Sequence, residues 1–134
     1  MGQQQLLLIA LGVIIVGSAL IVGMNLFHAH AIESNRNGVT NDLLHIATMS
    51  QSYYRNTSEL GGGNQSFVGF QIPNQMKENE NGSYSVVYLR TDRALFQGVG
   101  VEPLESGVGC SQGRYYVTHR ILVFPDSVQV EVVY

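Results

Sequence analysis

The chain has 134 residues, a net charge of -3 and four histidines, and all 17 of its charged residues (7 basic, 10 acidic) follow residue 32. With one lysine, Lys77, and no Lys/Arg-rich stripe, it lacks the electrostatic footprint of a nucleic-acid binder. About 100 residues remain after the uncharged segment, enough for one small domain.

The first segment reads GQQQLLLIALGVIIVGSALIVGMNLF, Gly2 to Phe27. A cleaved secretory signal needs a basic start, an apolar core of roughly 7–15 residues and a small-residue cleavage site. Ala29-His30-Ala31 resembles such a site, but Met1 to Gln5 carry no basic group and the apolar run Leu6–Phe27 has 22 residues. That length argues against the signal peptide and for a helix of roughly 33 Å, matched to a hydrocarbon core of ~30 Å. Only five residues precede the run, so the folded part is expected on one side of a membrane. Gly12, Gly17 and Gly23 fall at spacings of five and six, not at the four-residue spacing of small residues in a membrane dimer. They suit close helix approach, although glycine is also common in membrane helices generally.

The helical pattern is expected to continue. No proline occurs from Ala31 to Arg55, and Ile32, Val39, Ile46 and Tyr53 recur every seven residues, with Leu43 and Met49 between them. This apolar stripe needs a partner surface. Asn37-Gly38 is a turn-prone pair, and glycine costs about 1 kcal/mol inside a helix. The expectation is one helix from Gln3 to about Arg55, with Gly38 as the place for a kink.

Gly61-Gly62-Gly63-Asn64 ends the helical part and reverses the chain. Strands are predicted at Tyr84–Arg90, Arg93–Val101, Arg114–Phe124 and Val128–Tyr134. In the last, Val128, Val130, Val132 and Tyr134 alternate with Gln129, Glu131 and Val133, which predicts one core-facing side. Two hairpins then form an antiparallel sheet of about four strands, covered by the amphipathic half of the helix. The domain division is an apolar helix over 1–30 and a head over 31–134. The head comprises an amphipathic helix (31–55), an αβ loop (56–82) and the sheet (83–134).

An apolar N-terminal helix that runs on into an amphipathic one, then a loop and a four-stranded antiparallel sheet, resembles a type IV pilin or pseudopilin. In sequence, the resemblance lies at the start, where Gly2 precedes about 25 uncharged residues carrying Gly12, Gly17 and Gly23. It implies cleavage by a prepilin peptidase between Gly2 and Gln3. It also implies assembly, through an inner-membrane pilus machinery, into a homopolymeric helical filament on the cell surface. The implied assembly core is Leu6, Leu7, Leu8, Ile9, Leu11, Val13, Ile14, Ile15, Val16, Leu20, Ile21, Val22, Met24, Leu26 and Phe27. Family members usually carry a glutamate at the fifth mature position, whereas here Leu7 takes that place and Gln3, Gln4 and Gln5 are the nearest polar residues.

Catalytic signatures are missing. His28 and His30 are two apart and diverge on a helix, and His45 and His119 read as structural or surface residues. Cys110 is alone, which excludes an intrachain disulfide, a Cys-based zinc site and a Cys-x-x-Cys-His haem attachment. Gly98-Val-Gly100 and Gly107-Val-Gly109 precede no helix and are no dinucleotide fingerprint. Tyr53-Tyr54 and Tyr115-Tyr116 read as packing between the helix end and the sheet, and their spacing gives no support to a conducting stack. No enzyme activity and no cofactor are expected. Three sequons, at Asn56, Asn64 and Asn81, fall in expected turns and make glycosylation a hypothesis. The leading expectation is a structural filament subunit. The alternative is a minor pseudopilin or a single-pass, membrane-anchored extracytoplasmic domain of a secretion system.

Overall fold

The computed structural model describes residues 2–104 and 115–133. One helix, α1 (Gly2–Arg55), is followed by a 3-10 turn (Ser58–Leu60), a short helix α2 (Asn74–Lys77) and strands β1 (Gly82–Leu89), β2 (Ala94–Leu104), β3 (Tyr115–Val123) and β4 (Val128–Val132). The strands form one antiparallel sheet in the order β1-β2-β3-β4. This is the expected α+β arrangement, a long apolar N-terminal helix packed on a four-stranded sheet in the manner of a pilin. Cys110, Gly107-Val-Gly109 and the ends Arg114 and Tyr134 of two predicted strands lie outside the described residues.

At 1.5 Å per residue, the 54 residues of α1 extend about 80 Å. The helix begins with no acid in its first turn and ends at Arg55. Its last carbonyls are satisfied by the returning loop: Gly63 donates to the Tyr53 carbonyl at 2.8 Å and Gln65 to that of Tyr54 at 2.9 Å. Gly61, at φ 75°, caps the 3-10 turn, so the glycine run does reverse the chain.

Helical structure passes through Gly38 without a break. A Cβ there would meet Asn81 Oδ1 at 2.8 Å, so the bare backbone makes room for a side chain from the loop. The loss of helix propensity at Gly38 is offset by that contact, which no local rule reveals.

The buried residues of α1 are Asn35, Val39, Leu43, Ile46, Ala47 and Ser50. Their steps of three and four mark one face, which agrees with the predicted stripe at Val39, Leu43 and Ile46. Ile32, Met49 and Tyr53 are only half-buried. Phe67, Phe70 and Ile72 from the loop, and Tyr84, Ala94, Phe96, Ile121 and Val123 from the sheet, complete the core. Tyr53 packs edge-on against Phe70, which does the same against Phe96, and Tyr54 lies against Phe67. Both tyrosines at the helix end are therefore packing residues.

The inward side of β2 carries Ala94, Phe96, Gly98 and Gly100. A Cβ on Gly98 would lie 2.9 Å from both the Tyr84 ring and Val39 Cγ1, and one on Gly100 would overlap Asn35 Oδ1. Two glycines on alternate positions thus let α1 approach β2 closely. Their sequence pattern is no dinucleotide fingerprint, and they act here as a docking groove.

One expectation is corrected. Val128, Val130 and Val132 pair with Val123, Ile121 and His119, on the helix side of the sheet. However, α1 packs mainly on β2 and β3, and of the three valines only Val128 is packed against the core. Val130 and Val132 remain 42% and 59% exposed. Alternation identified their side of the sheet correctly but not whether anything covers it.

Candidate assembly surface

Leu6 to Ile9 are four consecutive apolar residues, and at 100° per residue they already cover the circumference of a helix. The pattern persists to Phe27. All fifteen large apolar side chains of the expected assembly core are exposed, from 54% at Leu11 to 78% at Phe27. Among the described residues no other part of the fold covers this half of α1, so its apolar area has no partner there. α1 is the one helix among the described residues that is long and apolar enough to cross a membrane, by length and composition.

This half is not uniform. Gly12 and Gly17 form a notch bordered by Ile9, Val13, Val16 and Leu20. Gly23 lies eleven residues beyond Gly12, about three turns, and so returns to nearly the same face. A Cβ at any of the three would meet no neighbouring atom. Among the described residues nothing requires glycine there, and the notch faces outward. Ser18, midway along this stretch, donates its hydroxyl to the Ile15 carbonyl at 2.9 Å, so its donor is satisfied within the helix. Gly2 and Gln3, where a processing enzyme would cut, are exposed.

A polar cluster pins the head to α1 just beyond this segment. Asp42 Oδ2 accepts hydrogen bonds from the Tyr84 hydroxyl at 2.6 Å, Asn81 Nδ2 at 2.8 Å and Asn79 Nδ2 at 2.9 Å. Asn35 Nδ2 donates to the Asn81 carbonyl at 2.8 Å. The turn is itself closed by Asn79 Oδ1, which accepts from the backbone of Asn81 and Gly82. Burial alone would raise the Asp42 carboxyl, but the bonds from Tyr84, Asn81 and Asn79, with the nearby His45, hold it below the usual carboxylate range. Burial and then the Asp42 charge push the Tyr84 hydroxyl well above its ordinary value, so Tyr84 stays a donor. Of these residues only Asn81 stood out in sequence, and as a sequon rather than as a partner of Asp42. The available signal was the seven-residue spacing of Asn35 and Asp42, which keeps step with Val39 and Ile46.

On the opposite flank of α1, His119 is 3% exposed and its Nδ1 lies 2.9 Å from Thr40 Oγ1. The Thr40 hydroxyl donates to the Arg36 carbonyl, so Nδ1–H is the donor to Thr40 and Nε2 carries the buried lone pair. Nε2 has no partner. Burial, and secondarily Arg36, lower its basicity and keep the ring neutral. His119 is therefore a core residue, while His30 and His45 are exposed. Among the described residues no group of three or more His, Cys, Asp or Glu is placed to hold a metal.

The three sequon asparagines have different settings. Asn56 and Asn64 are exposed in the loop after α1, whereas Asn81 is half-buried and its amide is engaged by Asp42. No family model, curated protein or solved structure matches the chain.

Proposed function

We propose that the protein is the structural subunit of an extracellular type IV pilus-like filament, assembled through residues 6–27 of α1. The observation that supports this reading is the exposure of every large apolar side chain on that half of the helix, beside a head with its own core. Full burial of a large apolar side chain contributes about 1.5–3 kcal/mol. Fifteen such side chains, each about two-thirds exposed, amount to roughly 15–30 kcal/mol before the cost of association. In water that area cannot stay open. In a bilayer it is satisfied, because lipid tails are as apolar as leucine. Transfer from the bilayer to a bundle of identical helices exchanges one apolar surrounding for another. A subunit of this kind is stored in a membrane and extracted into a filament, with the sheet domain outward. Its partners are copies of itself, the inner-membrane assembly machinery and, if the start is processed, a prepilin peptidase.

Electron microscopy of material sheared from cells tests the reading. Filaments containing this protein are expected, and Leu8→Asp or Ile14→Asp abolishes them while the subunit persists in the membrane fraction. Intact filaments in both variants would refute assembly through this helix.

A second reading, a minor pseudopilin or membrane-anchored extracytoplasmic domain, is favoured by one observation. The first turn of α1 carries no acid, so the charge that pairs neighbouring subunits in familiar pilins is missing. Under this reading the protein stays in the membrane fraction and sheared material contains none of it.

A further inference from the structure

The three sequons are equivalent in sequence and unequal in the fold. Asn56 follows the last residue of α1 directly. Asn64 lies across the glycine turn at φ 48° and donates its backbone N–H to the Asn56 carbonyl at 3.0 Å. Gly62 N–H to the Thr57 carbonyl, at 3.0 Å, and Gly63 N–H to that of Tyr53 fix the return. A Cβ on Gly63 would overlap the Ser66 carbonyl, so the tightness of the turn depends on glycine. Two asparagines eight residues apart in sequence thus share one exposed ridge. Among the described residues neither side-chain amide makes a hydrogen bond, and both are free to react. The serines two positions on are also available. Ser58 is exposed, and Ser66 Oγ accepts from the Val68 N–H at 3.1 Å while its own proton stays unassigned.

Asn81 differs in each respect. It is half-buried, its Nδ2 donates to Asp42 at 2.8 Å, and its side chain lies over Gly38. A sugar on that nitrogen would have to pass between the turn and α1.

We propose that Asn56 and Asn64 form a paired N-glycosylation site at the end of α1, and that Asn81 is left unmodified. Each asparagine Nδ2 forms a bond to C1 of an oligosaccharide carried on a lipid phosphate. The C1–O bond to that phosphate breaks, the lipid phosphate leaves with the electron pair, and the amide gives up one proton. No oxidant or reductant takes part. The surroundings of the ridge point the same way. Leu60, between the two acceptors, is 78% exposed, and Val68 beside the second is 56% exposed. Two glycans there cover apolar surface that the fold leaves in water. The ridge also lies about 42 Å along α1 from Phe27, clear of the assembly segment. The proposal rests on the extracytoplasmic placement of the head and not on filament formation.

The test is the mass of the full chain purified from the cells that make it, with mapping of its peptides. Wild-type protein is expected to exceed its sequence mass by two glycan increments, carried on the peptides holding residues 56–58 and 64–66. N56Q and N64Q each lose one increment, the double variant loses both, and N81Q retains both. Peptide mapping of the wild type gives the answer even where a variant fails to fold. An unmodified chain, an increment on one of the two asparagines alone, or an increment on Asn81 overturns the proposal. Protease shaving of intact cells reports the side of the head separately. An unmodified but shaved head refutes the glycan site alone, and a protected head refutes the localisation.

Discussion

Replacing Asp42 by asparagine keeps the size of the side chain and removes the charge on which three donors converge. In the wild type one oxygen accepts from the Tyr84 hydroxyl, Asn81 Nδ2 and Asn79 Nδ2 at 2.6–2.9 Å. A hydrogen bond to a charged group contributes about 1.5–3 kcal/mol, against about 0.5–1.5 kcal/mol for a neutral pair. The cluster is partly open to solvent, so the loss per bond falls short of 1 kcal/mol and Asp42→Asn costs about 2 kcal/mol in all. For a head of about 100 residues this lowers Tm by roughly 8–16 °C. The assay is thermal unfolding of the full chain in detergent at two pH values. The folded carboxyl titrates below its ordinary value of 3.8, so its contribution is complete above that pH and is lost as pH falls through the depressed value. The gap between wild type and D42N is therefore wide at neutral pH and closes in strong acid. A Tm within 2 °C of wild type at neutral pH, or a gap that persists unchanged in acid, would refute the role assigned to the cluster.

Other outcomes follow from the same contacts. Gly98→Val drives methyl groups into the Tyr84 ring and Val39, and a loss of about 1–3 kcal/mol is expected in urea unfolding. Leu43→Ala costs about 2–5 kcal/mol, because Leu43 is fully buried, whereas Leu44→Ala, at a site 40% exposed, costs much less. Equal losses at the two positions would mean that the buried face of α1 is misassigned. His119 is less basic in the fold than its ordinary 6.5, so the unfolded chain takes up the proton first. Its contribution is complete above pH 6.5 and declines as pH falls below it. His119→Gln flattens the unfolding midpoint against pH in that window.

Much of the architecture was legible because it is local. The extent of α1 was expected as Gln3 to Arg55 and is Gly2–Arg55, since an unbroken apolar run followed by a helical stripe needs no tertiary information. The four strands lie where β-branched and aromatic residues cluster between turn residues. The apolar half of α1 was legible for the same reason, because an uncharged helix of this length is visible in composition. The glycine turn after α1 was also visible, because three consecutive glycines have few other uses. The short helix α2 and the 3-10 turn were missed within the loop, where four and three residues carry too little periodic signal.

The sequence by itself determined which segments are helical or extended, which residues must avoid water and where the chain turns. These follow from backbone propensity and from the periodicity of apolar residues along short stretches. Only the tertiary structure decided that α1 covers β2 and β3 but leaves Val130 and Val132 open. It also decided that Gly98 and Gly100 serve helix docking, and that Asp42 reaches donors some forty residues away. The same holds for the sequons, identical as motifs until the fold ties up Asn81 and leaves Asn56 and Asn64 exposed. The reason is physical. Periodicity records that a face is apolar, while its partner is set by the distances at which remote segments meet once the chain has closed.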